Sequence, residues 1–298
     1  MTSIATLIRG RAADLGGGLA VLRALPQAAL RSVGPFVFVD HFGPSDFAVG
    51  QGLDVRPHPH IGLATVTWLF DGEIVHRDSL GTVQPIAPGD VNWMVAGRGI
   101  VHSERTAPAK RAVPGRLHGM QTWIALPAEH EDHAPAFEHH PAHTLPVIER
   151  DGVRLTVIAG HAFGARSPVG VFSPTLYCAL ELAAGARFVL TAEHEERALY
   201  VASGAVTVDG EPLTRGAFAV LSPGLDVTLS ADPAAQLMLL GGAPLGPRHL
   251  WWNFVSSSRE RIEAARGAWA AYAPAAGSPD GRFAPVPSEH EFIPLPAH

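Results

Sequence analysis

The sequence predicts an all-β protein with two antiparallel β-barrel domains and one short helix. Its 31 Gly and 26 Pro residues are spread along the chain and place a turn signal about every 8 to 12 residues, which is typical of short antiparallel strands. Hydrophobic residues make up 47% of the chain and charged residues 17%, so a buried core is expected and disorder is excluded. At roughly 150 residues per domain, 298 residues suit two domains.

The first β series lies between Gly34 and Leu126. Its apolar, β-branched and aromatic runs predict strands over residues 36–39, 65–70, 91–95 and 120–126. Turn chemistry separates these runs, because Asp71-Gly72 is a strong hairpin signal and Pro88-Gly89 suits the centre of a type II turn. Short strands joined by tight turns predict a sandwich or a barrel.

A connecting arm is predicted between Pro127 and Pro146. This stretch is acidic and rich in Pro and His, and it shows no apolar periodicity, which is typical of an irregular, solvated segment. We therefore predict an N-terminal domain over residues 1–145, with the arm included, and a C-terminal domain over residues 146–298.

A second β series follows the arm and repeats features of the first. Strands are predicted over residues 153–159, 176–182, 187–191, 198–202, 217–221 and 236–240. Asp71-Gly72 can be laid over Ser203-Gly204, and Pro88-Gly89 over Arg215-Gly216, which indicates a weak internal repeat. The two halves are therefore expected to form similar barrels.

One helix is predicted in the C-terminal part of the second domain. Ser257 and Glu260 have the spacing of a capping box, and an apolar stripe follows on one helical face, at Ile262, Ala265, Trp269 and Tyr272. Beyond residue 273 the tail is rich in Pro, Gly and Ser, and its apolar residues 292–295 predict a late edge strand.

Charge, hydropathy and cysteine content exclude several classes of protein. The 22 basic and 28 acidic residues give a net charge of −6 without a long basic run, so direct nucleic-acid binding is not expected. No apolar stretch approaches the roughly 18 residues that span a bilayer and no signal peptide is apparent, so a cytoplasmic protein is expected. The single cysteine, Cys178, lies in an apolar run and is predicted to be a small buried hydrophobic side chain.

Two pairs of metal-ligating residue types recur at the same spacing. His58 and His60 precede a predicted strand, and His102 and Glu104 follow the strand around Trp93. The members of each pair are two positions apart, so an extended backbone points both side chains to one face. Side by side in a barrel, these strands would converge three imidazoles and one carboxylate, which suit a first-row divalent metal with open positions. The alternative is a hydrogen-bonded polar core without metal.

The motifs around these residues resemble the pirin family of bicupins. The resemblance rests on residues 36–43 (FVFVDHFG), 57–62 (PHPHIG), 88–94 (PGDVNWM), 97–104 (GRGIVHSE) and 117–123 (LHGMQTW). Residues 251–258 (WWNFVSSS) are similar to a segment of many bacterial pirin-like proteins, so the resemblance extends weakly over the C-terminal half.

The resemblance implies an all-β bicupin fold, in which two cupin (jelly-roll) barrels pack face to face. It also implies one mononuclear non-haem iron in the N-terminal barrel, whose ligands, by motif position, are His58, His60, His102 and Glu104. The C-terminal barrel departs from a metal-binding pattern. The stretch laid over the first histidine pair contains His194 and Glu196, which are predicted to be solvated or in an ordinary salt bridge, and no second metal is expected.

The remaining histidines have other predicted roles. His118 follows the ligand strand and is either a residue that orients a ligand or lines the pocket, or a packed strand histidine. His76 is predicted to lie on the surface. The arm histidines are predicted to lie in a solvated loop, and these are His130, His133, His139, His140 and His143.

Three functions fit a metal site of this kind. The pirin resemblance implies quercetin 2,3-dioxygenase activity, in which a bound flavonol or related enediol reacts with O2, its heterocyclic ring opens and carbon monoxide is released. Glu104 is the only carboxylate of the constellation and is the candidate catalytic base for the substrate hydroxyl. The first alternative is an iron-dependent regulatory protein whose redox state alters a protein-binding surface. The second is a purely structural metal, which open coordination positions argue against.

Cofactor and partner expectations follow from the same site. Fe(II) is expected at one ion per chain in the N-terminal domain, and the same donors accept Ni, Cu, Zn, Mn or Co. The expected partners are an aromatic small molecule and O2, or a protein partner under the regulatory alternative, with no membrane. The absence of a basic face favours the enzyme. The chain is predicted to be a monomer.

Overall fold

Short strands make up most of the computed structural model, which describes residues 2–14 and 19–296. The elements of the first half are β1 (Ile4–Arg9), β2 (Arg11–Asp14), β3 (Ala20–Leu25), β4 (Phe36–Phe47), β5 (Asp54–His60), β6 (Leu63–Asp71), β7 (Ile74–Asp78), β8 (Val83–Ile86), β9 (Val91–Val95), β10 (Ile100–Arg105), α1 (Pro108–Arg111), β11 (Gly115–Ala125) and β12 (Ala136–His140). Those that follow are β13 (Val147–Arg150), β14 (Val153–Ala162), β15 (Ala165–Arg166), β16 (Thr175–Leu182), β17 (Arg187–Leu190), β18 (Glu196–Ser203), β19 (Ala205–Val208), β20 (Glu211–Thr214), β21 (Ala217–Leu221), β22 (Val227–Ala231), β23 (Ala235–Gly242), β24 (His249–Trp251), β25 (Phe254–Ser256) and α2 (Arg259–Ala270).

The predicted all-β class and the predicted strands are confirmed. Strands β4, β6, β9 and β11 cover the first predicted series, and β14, β16, β17, β18, β21 and β23 cover the second. The turn after Asp71 requires glycine, because Gly72 has a φ of +92° and a Cβ there would lie 2.3 Å from the Arg116 carbonyl oxygen. This turn links β6 of one sheet to β7 of another, so the predicted hairpin is instead a crossing between sheets.

Two compact units share the chain in an interleaved order. The first unit, which we call the C-terminal unit, consists of the described parts of Met1–Ala12, Leu22–His41 and His140–Leu245. The N-terminal unit consists of the described parts of Ala13–Val21, Phe42–His139 and Gly246–His298. Helix α2 and the tail therefore belong to the N-terminal unit, whereas strand β1 belongs to the C-terminal unit. The domain boundary between residues 145 and 146 stays a prediction.

The two units repeat one antiparallel strand order. Strands β11, β6 and β9 of the N-terminal unit belong to a larger sheet of order β2-β3-β4-β11-β6-β9-β12, and the smaller sheet of this unit runs β5-β10-β7-β8. In the C-terminal unit the larger sheet runs β13-β14-β16-β23-β18-β21-β1, with β15 beside β14, and the smaller sheet runs β17-β22-β19-β20. Strand β6 thus corresponds to β18 and β9 to β21, as the overlay of turn residues predicts. The internal repeat is confirmed, and each described unit is a two-sheet jelly roll rather than a closed barrel.

Aliphatic side chains fill the space between the two sheets of the C-terminal unit. Its core cluster includes Leu155, Leu199, Leu229 and Leu237, all fully buried. Cys178 belongs to the same cluster, and burial raises the pKa of its thiol, so the predicted buried hydrophobic role is confirmed. Removing so much apolar area from water is the main source of stability in this unit.

Helix α2 packs its predicted face inward. Ile262, Ala265 and Trp269 are buried in an apolar cluster of the N-terminal unit. The N-cap is Ser258, whose hydroxyl accepts a hydrogen bond from the Arg261 backbone N–H at 3.4 Å, so the helix begins one residue later than the capping-box spacing predicts. A one-turn helix, α1, was not predicted. Among the described residues, no helix combines the length and apolar character needed to cross a membrane.

The tail of the N-terminal unit does not form the predicted edge strand. Residues 291–296 have no strand pairing, and Pro294 and Pro296 remove N–H donors that a strand ladder needs. The tail is fixed by single contacts instead, because the Ile293 N–H donates to the Pro57 carbonyl at 2.8 Å and the Trp269 indole N–H donates to the Ile293 carbonyl at 3.0 Å.

The predicted arm is more ordered than its composition indicates. Its residues 136–140 form β12 beside β9, and the Arg98 N–H donates to the His133 carbonyl at 3.0 Å. Glu131 is buried, and its carboxylate accepts hydrogen bonds from the Ser256 hydroxyl and the Ser257 N–H, each at 2.6 Å. The expectation of an irregular segment is therefore wrong for these residues, because their partners lie far away in the sequence.

Candidate metal centre

One face of the smaller sheet of the N-terminal unit carries six polar side chains. They are His58 and His60 on β5, His76 and Asp78 on β7, and His102 and Glu104 on β10. The members of each pair are two residues apart and so share a face. The strand register completes the arrangement, because His102 lies opposite His58 on one side and opposite Asp78 on the other. All six side chains are buried.

Three of these side chains converge on one point. Ring nitrogens of His58, His60 and His102 all lie within 4.8 Å of one another. The ring centroids of His58 and His102 are 4.3 Å apart, and each lies 5.0 Å from that of His60. Within the described residues the 4.8 Å group consists of these three histidines, and Glu104 lies two residues beyond His102 on the same strand.

Backbone carbonyls fix the tautomers of the two β5 histidines. The Nδ1 atom of His58 lies 2.9 Å from the Arg56 carbonyl oxygen, and that of His60 lies 3.1 Å from the Asn253 carbonyl oxygen. A carbonyl oxygen only accepts, so each Nδ1 atom carries the proton and donates it. In the neutral rings the Nε2 atoms are then left with lone pairs, which is the form that binds a metal.

His102 supplies a polar atom that the protein leaves unsatisfied. Its Nε2 atom is buried and has no hydrogen-bond partner among the described residues. A buried polar atom without a partner costs free energy, and a metal ion at the centre of the three rings would satisfy it. The donor set therefore fits a first-row divalent metal.

Electrostatics favour neutral imidazoles at this centre. Burial lowers the pKa of His58 to about 4. Burial also holds the pKa values of His60 and His102 well below the usual range, and the neighbouring imidazoles lower them further. All three rings are therefore uncharged at neutral pH, and no second proton competes with a metal for their lone pairs.

Glu104 is buried beside the imidazoles in a polar corner. Burial raises its pKa to about 7, which a hydrogen bond from Thr67 partly opposes. The Thr67 hydroxyl lies 3.4 Å from Glu104 Oε1 and 2.9 Å from Gln121 Oε1. Its single proton can satisfy one of these oxygens at a time, and the shorter contact is to Gln121.

Several residues of the site were missed by the sequence analysis. His76 is only 4% exposed and its ring stacks on Phe137 with centroids 4.5 Å apart, so the predicted surface position is wrong. The alternation of β7 places Ile74, His76 and Asp78 on the inner face, and the His-x-Asp pair beside a second ligand strand was the available signal. The Asn253 carbonyl and the Trp123 ring, which lies edge-on 5.0 Å from His60, gave no such signal.

Asp78 carries a negative charge behind this centre. Burial raises its pKa, but hydrogen bonds from His76 and from the Thr82 backbone lower it more, and the pKa is below the usual value. The Nε2 atom of His76 lies 3.0 Å from Asp78 Oδ2. The carboxylate is therefore a permanent acceptor for the His76 ring at neutral pH.

The other histidines of the sequence analysis lie apart from the three-histidine group. His118 is buried on β11 with its ring packed against Phe70 at 4.7 Å, the arrangement of a packed strand histidine. His194 is also buried, and its Nε2 donates to the His161 carbonyl at 2.9 Å, so the predicted solvated position is wrong. Glu196 accepts a hydrogen bond from the Gly34 backbone N–H at 2.5 Å.

The arm histidines differ in their exposure to solvent. His133 and His143 are exposed, as predicted, whereas His139 is half-buried with its Nδ1 atom 2.7 Å from Asn92 Oδ1. Half-burial also applies to His130 and His140. The solvated-loop prediction thus holds for the two exposed residues only.

The family is decided by comparison with known proteins. Residues 18–124 match the Pirin family model, and residues 177–273 match the model of the Pirin C-terminal cupin domain. A pirin-like protein of Caulobacter vibrioides is 50% identical over 96% of this chain and 97% of its own length. The chain belongs to the pirin family.

Further pirin relatives carry an enzymatic name. A Pseudomonas aeruginosa protein with a provisional quercetin 2,3-dioxygenase name is 44% identical over 88% of this chain and 82% of its own length. A crystal structure of a quercetin 2,3-dioxygenase from Acinetobacter baumannii superposes with a TM-score of 0.90 and 36% identity, over 98% of this chain and 95% of that one. The predicted family and the bicupin class are confirmed.

Proposed function

We propose that this pirin is a mononuclear non-haem iron protein with O2-dependent quercetin 2,3-dioxygenase activity on a flavonol or related enediol. The observation that carries the proposal is the buried convergence of three imidazoles, with ring nitrogens within 4.8 Å of one another. The names of two relatives that span most of the chain support the same reaction class.

The proposed ligands are His58, His60, His102 and Glu104. The fixed Nδ1 donors of the β5 histidines and the unsatisfied Nε2 atom of His102 support the three imidazole ligands. Three nitrogens and one oxygen leave positions of a six-coordinate metal for substrate and O2. When bound, iron(II) supplies Lewis acidity toward an enol oxygen and electrons toward O2. Nickel, copper, zinc, manganese and cobalt fit the same donors.

Glu104 is proposed as the base as well as the fourth ligand. A general base works best when its pKa lies near the working pH, and in the metal-free centre burial raises the pKa of Glu104 to about 7. Glu104 therefore acts as the base when its carboxylate leaves the metal. The carboxylate accepts the proton of the substrate hydroxyl, and the Thr67 hydroxyl, 3.4 Å from Oε1, can donate to the carboxylate form in place of Gln121.

An aromatic wall supports a flat substrate. Trp123 lies beside His60 at 5.0 Å with an interplanar angle of 76° and is almost completely buried. Indole rings bind other aromatic rings by stacking and edge contacts, so this wall suits a flavonol.

Quercetin turnover tests the proposal. The iron(II)-loaded wild type should consume quercetin and release carbon monoxide in air but not under anaerobic conditions, as followed by flavonol absorbance on samples of known iron content. Glu104→Gln should lose turnover even where iron is retained, because Gln keeps a coordinating oxygen but accepts no proton at neutral pH. A matched control, His194→Ala, removes a buried histidine of the C-terminal unit and should keep wild-type turnover.

Two results would count against this function. If iron-loaded wild type consumes no flavonol in an O2-dependent way, the dioxygenase proposal is wrong and the regulatory alternative is favoured. If Glu104→Gln retains both iron and full turnover, the reaction class stands but the base is another group.

A further inference from the structure

Two buried side chains, His76 and Asp78, lie behind the His102 imidazole, and the proposed function does not use them. The Nδ1 atom of His102 lies 3.4 Å from the Nδ1 atom of His76, and the Nε2 atom of His76 lies 3.0 Å from Asp78 Oδ2. Asp78 is fully buried and His76 is 4% exposed, so neither side chain contributes to the protein surface.

Backbone N–H groups fix the orientation of the Asp78 carboxylate. Asp78 Oδ1 accepts from the backbone N–H groups of Leu80, at 2.9 Å, and Thr82, at 3.0 Å. The other oxygen, Oδ2, therefore faces His76, and because a carboxylate only accepts, the His76 Nε2 atom must carry the proton.

The same reasoning reaches the metal ligand. With its proton on Nε2, a neutral His76 has a lone pair on Nδ1 and can only accept there. His102 must then donate from its own Nδ1 atom, which leaves the lone pair of His102 on Nε2. That Nε2 atom is the one buried without a partner among the described residues.

Neighbouring residues hold the His76 and Asp78 side chains in place. Phe137 stacks on the His76 ring at an interplanar angle of 23°. Next to Asp78, the Ser79 N–H donates to the Val101 carbonyl at 2.8 Å, and the Val101 N–H donates to the Ser79 hydroxyl at 3.2 Å, so the end of β7 is fixed against β10. A ring held by packing and by hydrogen bonds on both nitrogens has one orientation.

We propose that Asp78 and His76 are positioning residues that lock His102 in the tautomer that binds the metal through Nε2. This inference rests on the proposed metal site and assigns it a supporting pair. His58 and His60 receive the same lock from backbone carbonyls, which no substitution alters. His102 is the ligand whose tautomer depends on side chains, and it is therefore the ligand that mutation can switch.

Asp78→Asn is the decisive variant, because it reverses the hydrogen bonds without changing the shape of the side chain. The backbone N–H groups of Leu80 and Thr82 retain the amide oxygen, so the amide NH2 faces His76. His76 must then accept at Nε2 and donate at Nδ1, and His102 is driven to carry its proton on Nε2, where the metal binds. Outer partners of metal-bound histidines are worth about 10- to 100-fold in affinity, so a loss of that size is expected.

Two substitutions of His76 separate its two hydrogen bonds. His76→Asn places an amide oxygen near the position of Nδ1 and keeps an acceptor for His102. His76→Gln places its amide near the position of Nε2 and keeps a donor for Asp78 but loses that acceptor. We expect His76→Asn to bind metal more tightly than His76→Gln, an order that loss of packing alone does not produce, because both amides lack the ring.

The experiment uses cobalt(II) as the probe with the full chain. Affinity is measured by competition with a chelator, and the visible spectrum of bound cobalt reports any change of the ligand set. Asp40→Asn is the matched control, since it replaces another fully buried carboxylate, one held by Arg23 in the C-terminal unit. Thermal unfolding of each chelator-treated variant identifies those that fail to fold.

The outcomes separate the inference from the proposed function. Weakened cobalt binding and an altered spectrum in folded Asp78→Asn, with wild-type binding in Asp40→Asn, support the positioning role. Wild-type affinity in Asp78→Asn, or equal losses in His76→Asn and His76→Gln, overturns that role while the metal site stands. A wild type that binds no cobalt overturns the metal site and the positioning role together.

Discussion

The two jelly rolls place different chemistry on corresponding strands of the same strand order. In the N-terminal unit His58 on β5 pairs with His102 on β10, and in the C-terminal unit β17 and β22 take these places, where Phe188 pairs with Leu229. Phe188 is 3% exposed and Leu229 is fully buried, so both pairs face an interior. The same fold therefore accepts either polar or apolar side chains on the inner face of its smaller sheet, and the function depends on which side chains are present.

The difference has a thermodynamic side. An aliphatic or aromatic pair gains free energy when it leaves water. Buried imidazoles lose their hydrogen bonds to water, and this costs free energy unless other partners replace the water. The His102 Nε2 atom has no such partner among the described residues. The C-terminal unit thus uses its interior for stability, whereas the N-terminal unit gives up part of that stability for buried imidazoles that could hold a metal ion.

The largest expected effect is the loss of bound metal when two of the proposed imidazole ligands are removed. In the double variant His58→Ala with His60→Ala, bound metal should fall from about one ion per chain to nearly none, because one imidazole and one carboxylate cannot hold a first-row metal tightly. Elemental analysis of purified protein measures this. His194→Ala should keep wild-type metal content, and an unchanged content in the double variant would contradict the site.

The second effect tests the stabilising role of the C-terminal interior. Leu229→Ala should lower the free energy of unfolding by about 2 to 5 kcal/mol, because it leaves a cavity in a fully buried aliphatic cluster. Urea unfolding measures the loss. The folded fraction should retain its metal, and a loss below about 1 kcal/mol would show that this interior is loosely packed.

The third effect depends on pH. In the chelator-treated protein the pKa of His58 is about 4, below the ordinary value of about 6.5 in the unfolded chain, so the unfolded chain binds the proton more tightly between these values. Stability contributed at this position is present above pH 6.5 and is lost as the pH falls toward 4. The raised pKa of Glu104 acts in the opposite direction, so the contribution of His58 must be isolated by a variant.

His58→Phe isolates it by giving β5 a buried aromatic ring without a titratable group, like that of Phe188 on the corresponding strand β17. Relative to this variant, the wild type should lose on the order of 2 kcal/mol between pH 7 and pH 5, as measured by urea unfolding at both values. Parallel pH profiles of the two proteins would show that His58 keeps an ordinary pKa.

The smallest effect concerns the outer side of a ligand strand. Glu289 accepts hydrogen bonds from Ser103, at 2.8 Å, and from Arg105, at 2.7 and 3.0 Å. Glu289→Gln should cost about 1 to 2 kcal/mol of stability, because charge-assisted bonds of a largely buried carboxylate are lost. Glu291→Gln is the control, since this residue contacts the same Arg105 but is half exposed, and should change stability by less than about 0.5 kcal/mol.

Much of the fold and the core of the site can be predicted from local sequence. Alternating apolar runs and Gly turns fix the strands, and the shared face of His58 and His60, like that of His102 and Glu104, is a local consequence of extended backbone. The convergence of the two pairs depends on the pairing of β5 with β10. Burial of His76 could not be read in this way, because it depends on the pairing of β7 with β10 and on the ring of Phe137, far away in the sequence. The assignment of β1 to the C-terminal unit likewise depends on long-range contacts.

The carbonyl that orients His60 belongs to Asn253, 193 residues further along the chain. A ribosome that adds about 5 to 20 residues per second needs roughly 10 to 40 s to cover that distance. During this interval the His60 ring exists without the group that fixes its tautomer, although its own strand has already been made. The binding centre is therefore assembled late in synthesis, and a metal ion that arrives earlier meets a nascent chain whose donors are not yet aligned.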